Sequence, residues 1–167
     1  MLTLDKANVV SSVKSLLIVY SYHHNNTLKV AEAMAKQLEA EIKTPRQTNP
    51  EEPQKYDLVG FGAGIDSGKH YKVLLDYAEK LPQVDNKDAF IFSTAGVTGE
   101  KKLTKDHSTL REKLEAKGYR IVGEFQCKGF NTNVFLKYFG GMNKGRPNEE
   151  DLKNAEEFAQ NLRRSEN

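Results

Sequence analysis

The sequence has little of several features that would each indicate a particular class of protein. Among 167 residues there is no tryptophan and a single cysteine, Cys127. One cysteine excludes an internal disulfide framework and a cysteine-rich metal site, and it is typical of a reducing compartment. No apolar run is long enough to span a bilayer, and residues 1–14 lack the apolar core and cleavage pattern of a signal peptide. We therefore expect a cytoplasmic protein without a membrane span, in which residues 1–14 form an N-terminal extension.

A surplus of charge of one sign is also missing. The 25 Lys and Arg residues against 23 Asp and Glu residues give a formal net charge of +2, and the two signs are interspersed along the chain. No basic stripe indicates a groove for nucleic acid. No Ser/His/Asp set, pair of acids or metal cluster is apparent, so we predict neither catalytic side chains nor a metal site. The length and the 38% hydrophobic content favour one compact domain over residues 1–167.

What the sequence does contain is a regular alternation of strand and helix patterns. Apolar or alternating runs predict strands near residues 16–20, 41–43, 58–61, 89–92 and 119–125. Between them, apolar residues recur at helical spacing, as in Val30, Met34 and Leu38. The last helix has Asn148 at its start and Asp151 three residues later, a capping pattern. Such alternation predicts a doubly wound α/β fold, in which a five-stranded parallel sheet lies between two helical layers.

In a doubly wound sheet, ligands bind outside the carboxyl ends of the strands, where the winding direction reverses. Residues 21–27 lie at such a place, between the first predicted strand and the first predicted helix. Backbone N–H groups at a helix start favour a phosphate, and this loop adds hydroxyl and amide side chains. It lacks the glycine patterns of dinucleotide-binding turns and nucleotide P-loops, so a monophosphate is favoured over NAD or ATP. The simpler alternatives are helix capping by Asn26 and Thr27, and solvated histidines at His23 and His24.

Four segments resemble one known family. "YSYHHNNTLKVAEAMA" is similar to the phosphate-binding loop of flavodoxins, a Tyr followed by a hydroxyl-rich run ending in Thr-Gly-Asn-Thr and then Glu-x-x-Ala. Asn26 and Thr27 match that motif, Asn25 stands where glycine is usual, and His23 and His24 stand where threonines are usual. "YDLVGFGAGIDSGKHY" and "AFIFSTAGVTGE" resemble the third and fourth strands with their ring-binding loops, and "GGMNKGRPNEEDLKNAEEFA" resembles a C-terminal segment. The chain after about Ser15 is thus identified as flavodoxin-like, which implies the strand order 2-1-3-4-5.

The resemblance implies noncovalent binding of FMN, with its phosphate on residues 21–27 and its ring beside the two later loops. The implied cofactor-binding residues are Ser21, Tyr22, His23, His24, Asn25, Asn26, Thr27, Gly64, Ile65, Asp66, Tyr71, Thr94, Ala95 and Gly96. Flavodoxins often cover the ring with aromatic side chains, and in the absence of tryptophan we favour Tyr71 for this position over Ile65 or His70. The simpler interpretations are a half-buried aromatic at Tyr71 and a turn residue at Asp66.

The function implied by the resemblance is electron transfer, with redox partner proteins or a small-molecule electron acceptor, by a monomer or a homodimer. Flavodoxins are generally acidic, whereas this chain is nearly neutral, so an FMN-dependent NAD(P)H:quinone-type reductase is one alternative. The histidines and the missing loop glycine favour a second alternative, a cofactor-free flavodoxin-fold binding module. A response-regulator receiver shares the winding, but its first strand should end in acidic residues rather than in Tyr20-Ser21-Tyr22.

Two further features have simple interpretations. Cys127, near the end of the fifth predicted strand, is expected to be a small core residue. The segment 130–139 combines several aromatic residues with neighbouring glycines and is long for a compact domain, which favours a functional role. We predict a lid, a partner surface or a tucked-in loop there, and in an enzyme this loop could form the wall of a pocket for a second substrate.

Overall fold

A parallel β-sheet forms the middle layer of the protein. The computed structural model describes residues 13–22, 24–131 and 140–165. Its strands are β1 (Ser15–Tyr20), β2 (Glu41–Lys43), β3 (Leu58–Asp66), β4 (Lys69–His70), β5 (Lys87–Ala95) and β6 (Tyr119–Lys128). The parallel order is β2-β1-β3-β5-β6, and the short β4 pairs antiparallel with the end of β3. The predicted order of five main strands is confirmed, because β4 only adds a hairpin and shifts the numbering.

Four helices cover the two faces of the sheet. They are α1 (Asn26–Leu38), α2 (Lys72–Glu79), α3 (Glu100–Ala116) and α4 (Glu149–Ser165). The proline-rich segment after β2 is a loop with one short 3₁₀ helix, Glu52–Lys55. The strand near residues 58–61 is longer than predicted, because parallel pairing of β3 with β5 continues as far as Gly64. None of the helices in the described ranges is long and apolar enough to cross a lipid bilayer.

Two hydrophobic clusters lie on opposite faces of the sheet. Successive strand residues point to opposite faces, so Leu16 and Ile18 pack toward α2 and α3 while Leu17 and Val19 pack toward α1 and α4. All four are at most 3% exposed, as expected of a strand covered on both sides. Cys127 belongs to the α1/α4 cluster, and burial raises the pKa of its thiol to about 12. Its predicted core position is confirmed.

Glycines in β3 allow β5 to pack closely beside it. A Cβ atom on Gly62 would lie 2.1 Å from the ring of Phe92, and one on Gly60 would lie 2.4 Å from the ring of Phe90. Side chains cannot be accommodated at such distances, so both positions must be glycine if the phenylalanine rings are to lie across β3. This packing places the carboxyl ends of β3 and β5 side by side.

The start of the last helix confirms the predicted capping. The backbone N–H of Asp151 donates to Asn148 Oδ1 at 2.9 Å, and the N–H of Asn148 donates to Asp151 Oδ2 at 2.8 Å. Arg146 also binds the Asp151 carboxylate. Burial alone would raise the pKa of Asp151, but these hydrogen bonds lower it overall. The predicted extension 1–14 and the predicted wall 130–139 fall mostly outside the described residues.

Candidate functional site

A cleft opens at the carboxyl ends of β1, β3, β5 and β6. This is the edge of the sheet at which doubly wound folds bind ligands. Nine residues predicted from the sequence line it: Tyr22, Asn26, Thr27, Gly64, Ile65, Tyr71, Thr94, Ala95 and Gly96. Gly129, Phe130 and Asn131 complete the lining; Gly129 was not predicted, and the other two begin the segment 130–139 that was predicted as a possible pocket wall. None of these twelve side chains carries a charge.

The start of α1 forms one end of the cleft. Asn25 precedes the helix in the left-handed conformation, with φ 55° and ψ 27°, which asparagine tolerates better than most residues. Ser21 Oγ accepts a hydrogen bond from the backbone N–H of Leu28 at 3.2 Å. Thr27 Oγ1 lies 2.9 Å from Thr94 Oγ1. Only one of these two hydroxyls donates to the other, so one proton of the pair is free to donate to a ligand.

Asn26 connects α1 to the segment after β6. Its Nδ2 donates to the carbonyl of Phe130 at 2.7 Å, while its buried Oδ1 has no hydrogen-bond partner among the described residues. Asn26 and Thr27 lie within the first turn of α1. The residue at the N-cap position is Asn25, and its side chain makes no capping hydrogen bond. The simple interpretation of Asn26 and Thr27 as capping residues is therefore wrong. Both side chains bind across the cleft instead.

Aromatic side chains form the wall beside the loop after β3. Tyr71 is half-buried immediately before α2, and its ring covers Gly64, where an added Cβ would lie 2.8 Å from the ring. The ring centroid lies 5.7 Å from that of Tyr20 and 6.0 Å from that of Tyr22. Burial, followed by the nearby Asp66 carboxylate, raises the pKa of Tyr71. Tyr22 remains 66% exposed. The aromatic wall thus extends from the half-buried Tyr71 to Tyr22 at the open rim of the cleft.

Some predicted residues lie outside the cleft. Ser21 and Asn25 line a neighbouring groove between α1 and β2. The ring of His24 packs against Phe130, with 4.5 Å between centroids. Asp66 is exposed at the end of β3, and His23 falls outside the described residues. His70, the alternative to Tyr71, is 1% exposed and binds the carbonyl of Phe92 rather than facing the cleft.

Further residues beside the cleft come from the two ends of the segment after β6. Asn131 and Met142 form a bridge with hydrogen bonds of 2.8 and 2.7 Å, which closes that segment beside the cleft. Asn143 Nδ2 donates to the carbonyl of Gly96 at 2.7 Å. The sequence did contain a signal for this part of the site. Like the earlier ligand loops, the segment directly follows a predicted strand, and it is rich in glycine and asparagine.

A second group of polar side chains lies on the other face of β5. Ser93, His107 and Glu124 contact one another there, although they come from three elements and are separated by 14 and 17 residues. Sequence spacing gave no indication of this Ser/His/Glu set. In the described part of the chain, no group of three His, Cys, Asp or Glu side chains is placed to hold a metal ion.

The doubly wound sheet and its cleft at the carboxyl ends of the strands define a flavodoxin-like α/β protein. Residues 17–160 match the family model described as Flavodoxin domain. The chain therefore belongs to the flavodoxin family.

Relatives extend this assignment over most of the chain. An uncharacterized protein of Methanocaldococcus jannaschii is 45% identical over 150 residues, covering 90% of this chain and 98% of that protein. Oxidised flavodoxin 2 of Bacillus cereus is similar in structure, with a TM-score of 0.67 at 18% identity over 92% of this chain and 98% of its own. A flavodoxin from the domain Archaea gives a TM-score of 0.61 at 15% identity over 91% and 97%. At these low identities, the structural likenesses show the fold.

Proposed function

We propose that the protein binds FMN noncovalently in this cleft and acts in electron transfer. The observation that carries the proposal is the polar first turn of α1, which lies buried at the carboxyl edge of the sheet in a cleft whose described lining residues carry no charged side chain. Family membership supports FMN as the ligand. The residues present fit the group, because the cleft offers neutral donors at one end and an aromatic wall at the other.

The phosphate of FMN would lie against the start of α1. Backbone N–H groups there and the helix dipole favour an anion. The pair of Thr27 and Thr94 adds its one free hydroxyl proton, and Asn26 contributes a buried amide at the same turn. His24, which stands where the family motif has a threonine, packs on Phe130 and is not among the lining residues of the cleft.

The ring of FMN would lie between the loops that follow β3 and β5. Gly64 and Ile65 line one side and Thr94 to Gly96 line the other, so backbone groups are available to the polar edge of the ring. Tyr71 is placed to cover one ring face. Bound FMN supplies reversible transfer of one or two electrons, and the protein sets its position and potential.

The rim of the cleft supports a role with redox partners. Tyr22 and Val97 are the large hydrophobic residues that remain exposed in the described part of the chain, at 66% and 57%. Tyr22 belongs to the cleft lining, and Val97 follows the lining residue Gly96. We propose that a redox partner protein or a small electron acceptor approaches this rim, with the protein acting as a monomer or a homodimer.

The test is retention of FMN by the purified protein. The visible spectrum is recorded after incubation with FMN and removal of unbound flavin, for wild type and for Asn26→Ala combined with Thr27→Ala. Each lost hydrogen bond to the phosphate should cost about 1–3 kcal/mol, so the double variant should bind at least tenfold more weakly. The matched control is Thr104→Ala with Asn154→Ala, since both residues are exposed on helices away from the cleft.

Each outcome is informative. Flavin bands in wild type and control that weaken in the cleft variant support the proposal. A colourless wild type contradicts it and favours the cofactor-free binding module. If flavin is retained, steady oxidation of NADH or NADPH with a quinone would favour the reductase, whereas reduction only by a separate reductase favours the electron carrier.

A further inference from the structure

Next to the cleft along β5, polar side chains form a connected network on the face of the strand that packs against α3. His107 lies at its centre, with Nε2 2.7 Å from Ser93 Oγ and Nδ1 3.2 Å from Glu124 Oε1. Ser93 and His107 are fully buried. Arg111 donates to Glu124 Oε1 at 2.6 Å, and the Glu124 side chain is 22% exposed. The network therefore has an inner end at Ser93 and an outer end that reaches solvent.

A second branch completes the charge balance. Gln126 Nε2 donates to Ser93 Oγ at 3.1 Å and to Asp106 Oδ2 at 2.9 Å. The fully buried Asp106 is paired with Lys102. Two cations thus match two carboxylates, and the network carries no net charge when His107 is neutral.

The elements packed around His107 bring one other titratable ring close to it. His70 of β4 lies with its ring centroid 4.9 Å from that of His107. Burial, followed by repulsion from His107, lowers the pKa of His70 to about 3, so His70 is neutral near pH 7. β6 contributes Glu124, β5 contributes the uncharged Ser93, and α3 itself contributes Lys102, Asp106 and Arg111. The side chains that α2 buries are Leu74, Leu75, Tyr77 and Ala78.

The partners determine where the protons lie. Burial raises the pKa of Glu124, but hydrogen bonds from His107 and Arg111 lower it overall, so Glu124 is a carboxylate and His107 Nδ1 carries a proton. With Nδ1 protonated, Nε2 of the neutral ring is an acceptor, so the Ser93 hydroxyl donates to it. His70 Nδ1 and Gln126 Oε1 are buried acceptors with no hydrogen-bond partner among the described residues. The network thus has more hydrogen-bond acceptors than N–H and O–H protons to fill them. His107 Nε2 is the basic nitrogen at its centre.

The order of contacts is that of a Ser/His/Glu catalytic triad, but the surroundings do not suit one. Ser93 is 0% exposed in the middle layer of the protein. A nucleophilic serine must reach its substrate, and here no substrate can approach Oγ. The arrangement is suited to holding a proton rather than to attacking a carbonyl carbon.

The inner end of the network lies next to the cleft along the strand. Ser93 directly precedes Thr94, Ala95 and Gly96, which line the cleft, and Ser93 Oγ lies 2.7 Å from His107 Nε2. His107 is thus separated from the cleft lining by one hydrogen bond and one residue, and charges at such short range in a protein interior interact appreciably. Negative charge in the cleft therefore stabilises a proton on His107, and by linkage a proton on His107 strengthens binding of an anion in the cleft.

We propose that His107 is a proton-uptake site linked to negative charge in the cleft. One proton from solvent is added at Nε2, which then donates to Ser93 Oγ, the Ser93 hydroxyl proton rotates away from the ring, and no other bond forms or breaks. The inference rests on the proposed function, because bound FMN brings its phosphate charge and, on reduction, an added electron.

The test is an NMR titration of the histidine ring C–H signals between about pH 5 and pH 9, the range in which imidazoles titrate. The chain has four histidines, and His107→Gln identifies the signal of His107. Samples are the protein alone, with oxidised FMN, and with FMN reduced by dithionite. We expect the His107 titration midpoint to rise by about 0.5–1 pH unit on reduction, a three- to tenfold change in the ratio of protonated to neutral ring.

The control variant is His70→Gln, which removes the buried imidazole next to His107. The shift of the His107 signal should persist in this variant. The wild-type titration decides the question even if His107→Gln fails to fold, since the other three histidines can be assigned by their own substitutions. Retained flavin with an unchanged or lowered His107 midpoint overturns this inference alone. Absence of flavin bands overturns the proposed function and this inference with it.

Discussion

Two neighbouring residues of β5 face two different polar regions. Thr94 points toward α1, where its hydroxyl meets Thr27 in a cleft whose lining, in the described ranges, is uncharged. Ser93 points toward α3, where it meets His107 in a buried cluster with two ion pairs. Because successive side chains of a strand point to opposite faces, the two regions lie at the same position along β5 but on opposite faces of the sheet. One strand can therefore line a ligand site and support a buried charged network one residue apart.

The two regions should respond differently to substitution. In the buried network every charged group depends on its partner, and removal of one member leaves another unpaired in a low dielectric. In the cleft the polar groups retain unused hydrogen-bonding capacity, which a ligand would satisfy. Substitutions in the network should mainly change the free energy of unfolding, and those in the cleft should mainly change ligand affinity.

The largest expected effect is the response of the network to acid. The pKa of His70 falls from 6.5 to about 3 on folding, so its stabilising contribution is complete above pH 6.5 and is lost as the pH falls toward 3. The loss should be about 1.4 kcal/mol per pH unit, or about 3 kcal/mol by pH 4. Urea unfolding of wild type and His70→Gln at several pH values measures it. Wild type should lose stability more steeply, and parallel curves would contradict the prediction.

The next effect is expected from Asp106→Ala. Asp106 is fully buried and binds Lys102 and Gln126, so its loss leaves two donors without their acceptor. The free energy of unfolding should fall by about 2–3 kcal/mol, which corresponds to roughly 5–10 °C in Tm for a chain of this size. Calorimetry measures the change. A loss below 1 kcal/mol would show that the network relaxes easily and would weaken the contrast with the cleft.

A smaller effect, on affinity, is expected from Thr94→Val. The substitution keeps the shape of the side chain and removes one hydroxyl of the pair with Thr27, so Thr27 must reorganise its donor. FMN should bind about five- to tenfold more weakly, equivalent to about 1 kcal/mol. Fluorescence titration of FMN measures this, with Thr104→Val on exposed α3 as control. Unchanged affinity would show that the threonine pair lies outside the ligand site.

The smallest effect is expected from Asp76→Ala. Lys72 and Asp76 have the same spacing along a helix as Lys102 and Asp106, but their side chains are 84% and 51% exposed. An exposed pair contributes little because water and salt screen it, so stability should change by less than about 0.5 kcal/mol. Thermal unfolding of this variant beside Asp106→Ala isolates the effect of burial. Equal losses in the two variants would remove burial as the explanation.

Much of the fold was predictable because its signals are local. The buried run in β1 and the reciprocal hydrogen bonds of Asn148 and Asp151 depend on residues close together in the chain. The loops after β1, β3 and β5 were predicted as ligand loops, and all three contribute to the cleft. Phe130 and Asn131 were predicted only as part of the segment 130–139 and not as ligand-site residues, because the bridge of Asn131 to Met142 that closes their segment beside the cleft is not indicated by the sequence.

The sequence by itself determined the alternation of strands and helices, and hence the edge of the sheet at which a ligand site could form. Only the tertiary structure decided which polar residues meet. Beside Leu110 and Leu114, α3 buries Asp106 and His107, because β5 and β6 offer Ser93, Glu124 and Gln126 opposite them. Such contacts join residues far apart in the chain, and a local pattern records only the face on which a residue lies, not the partner that it meets there.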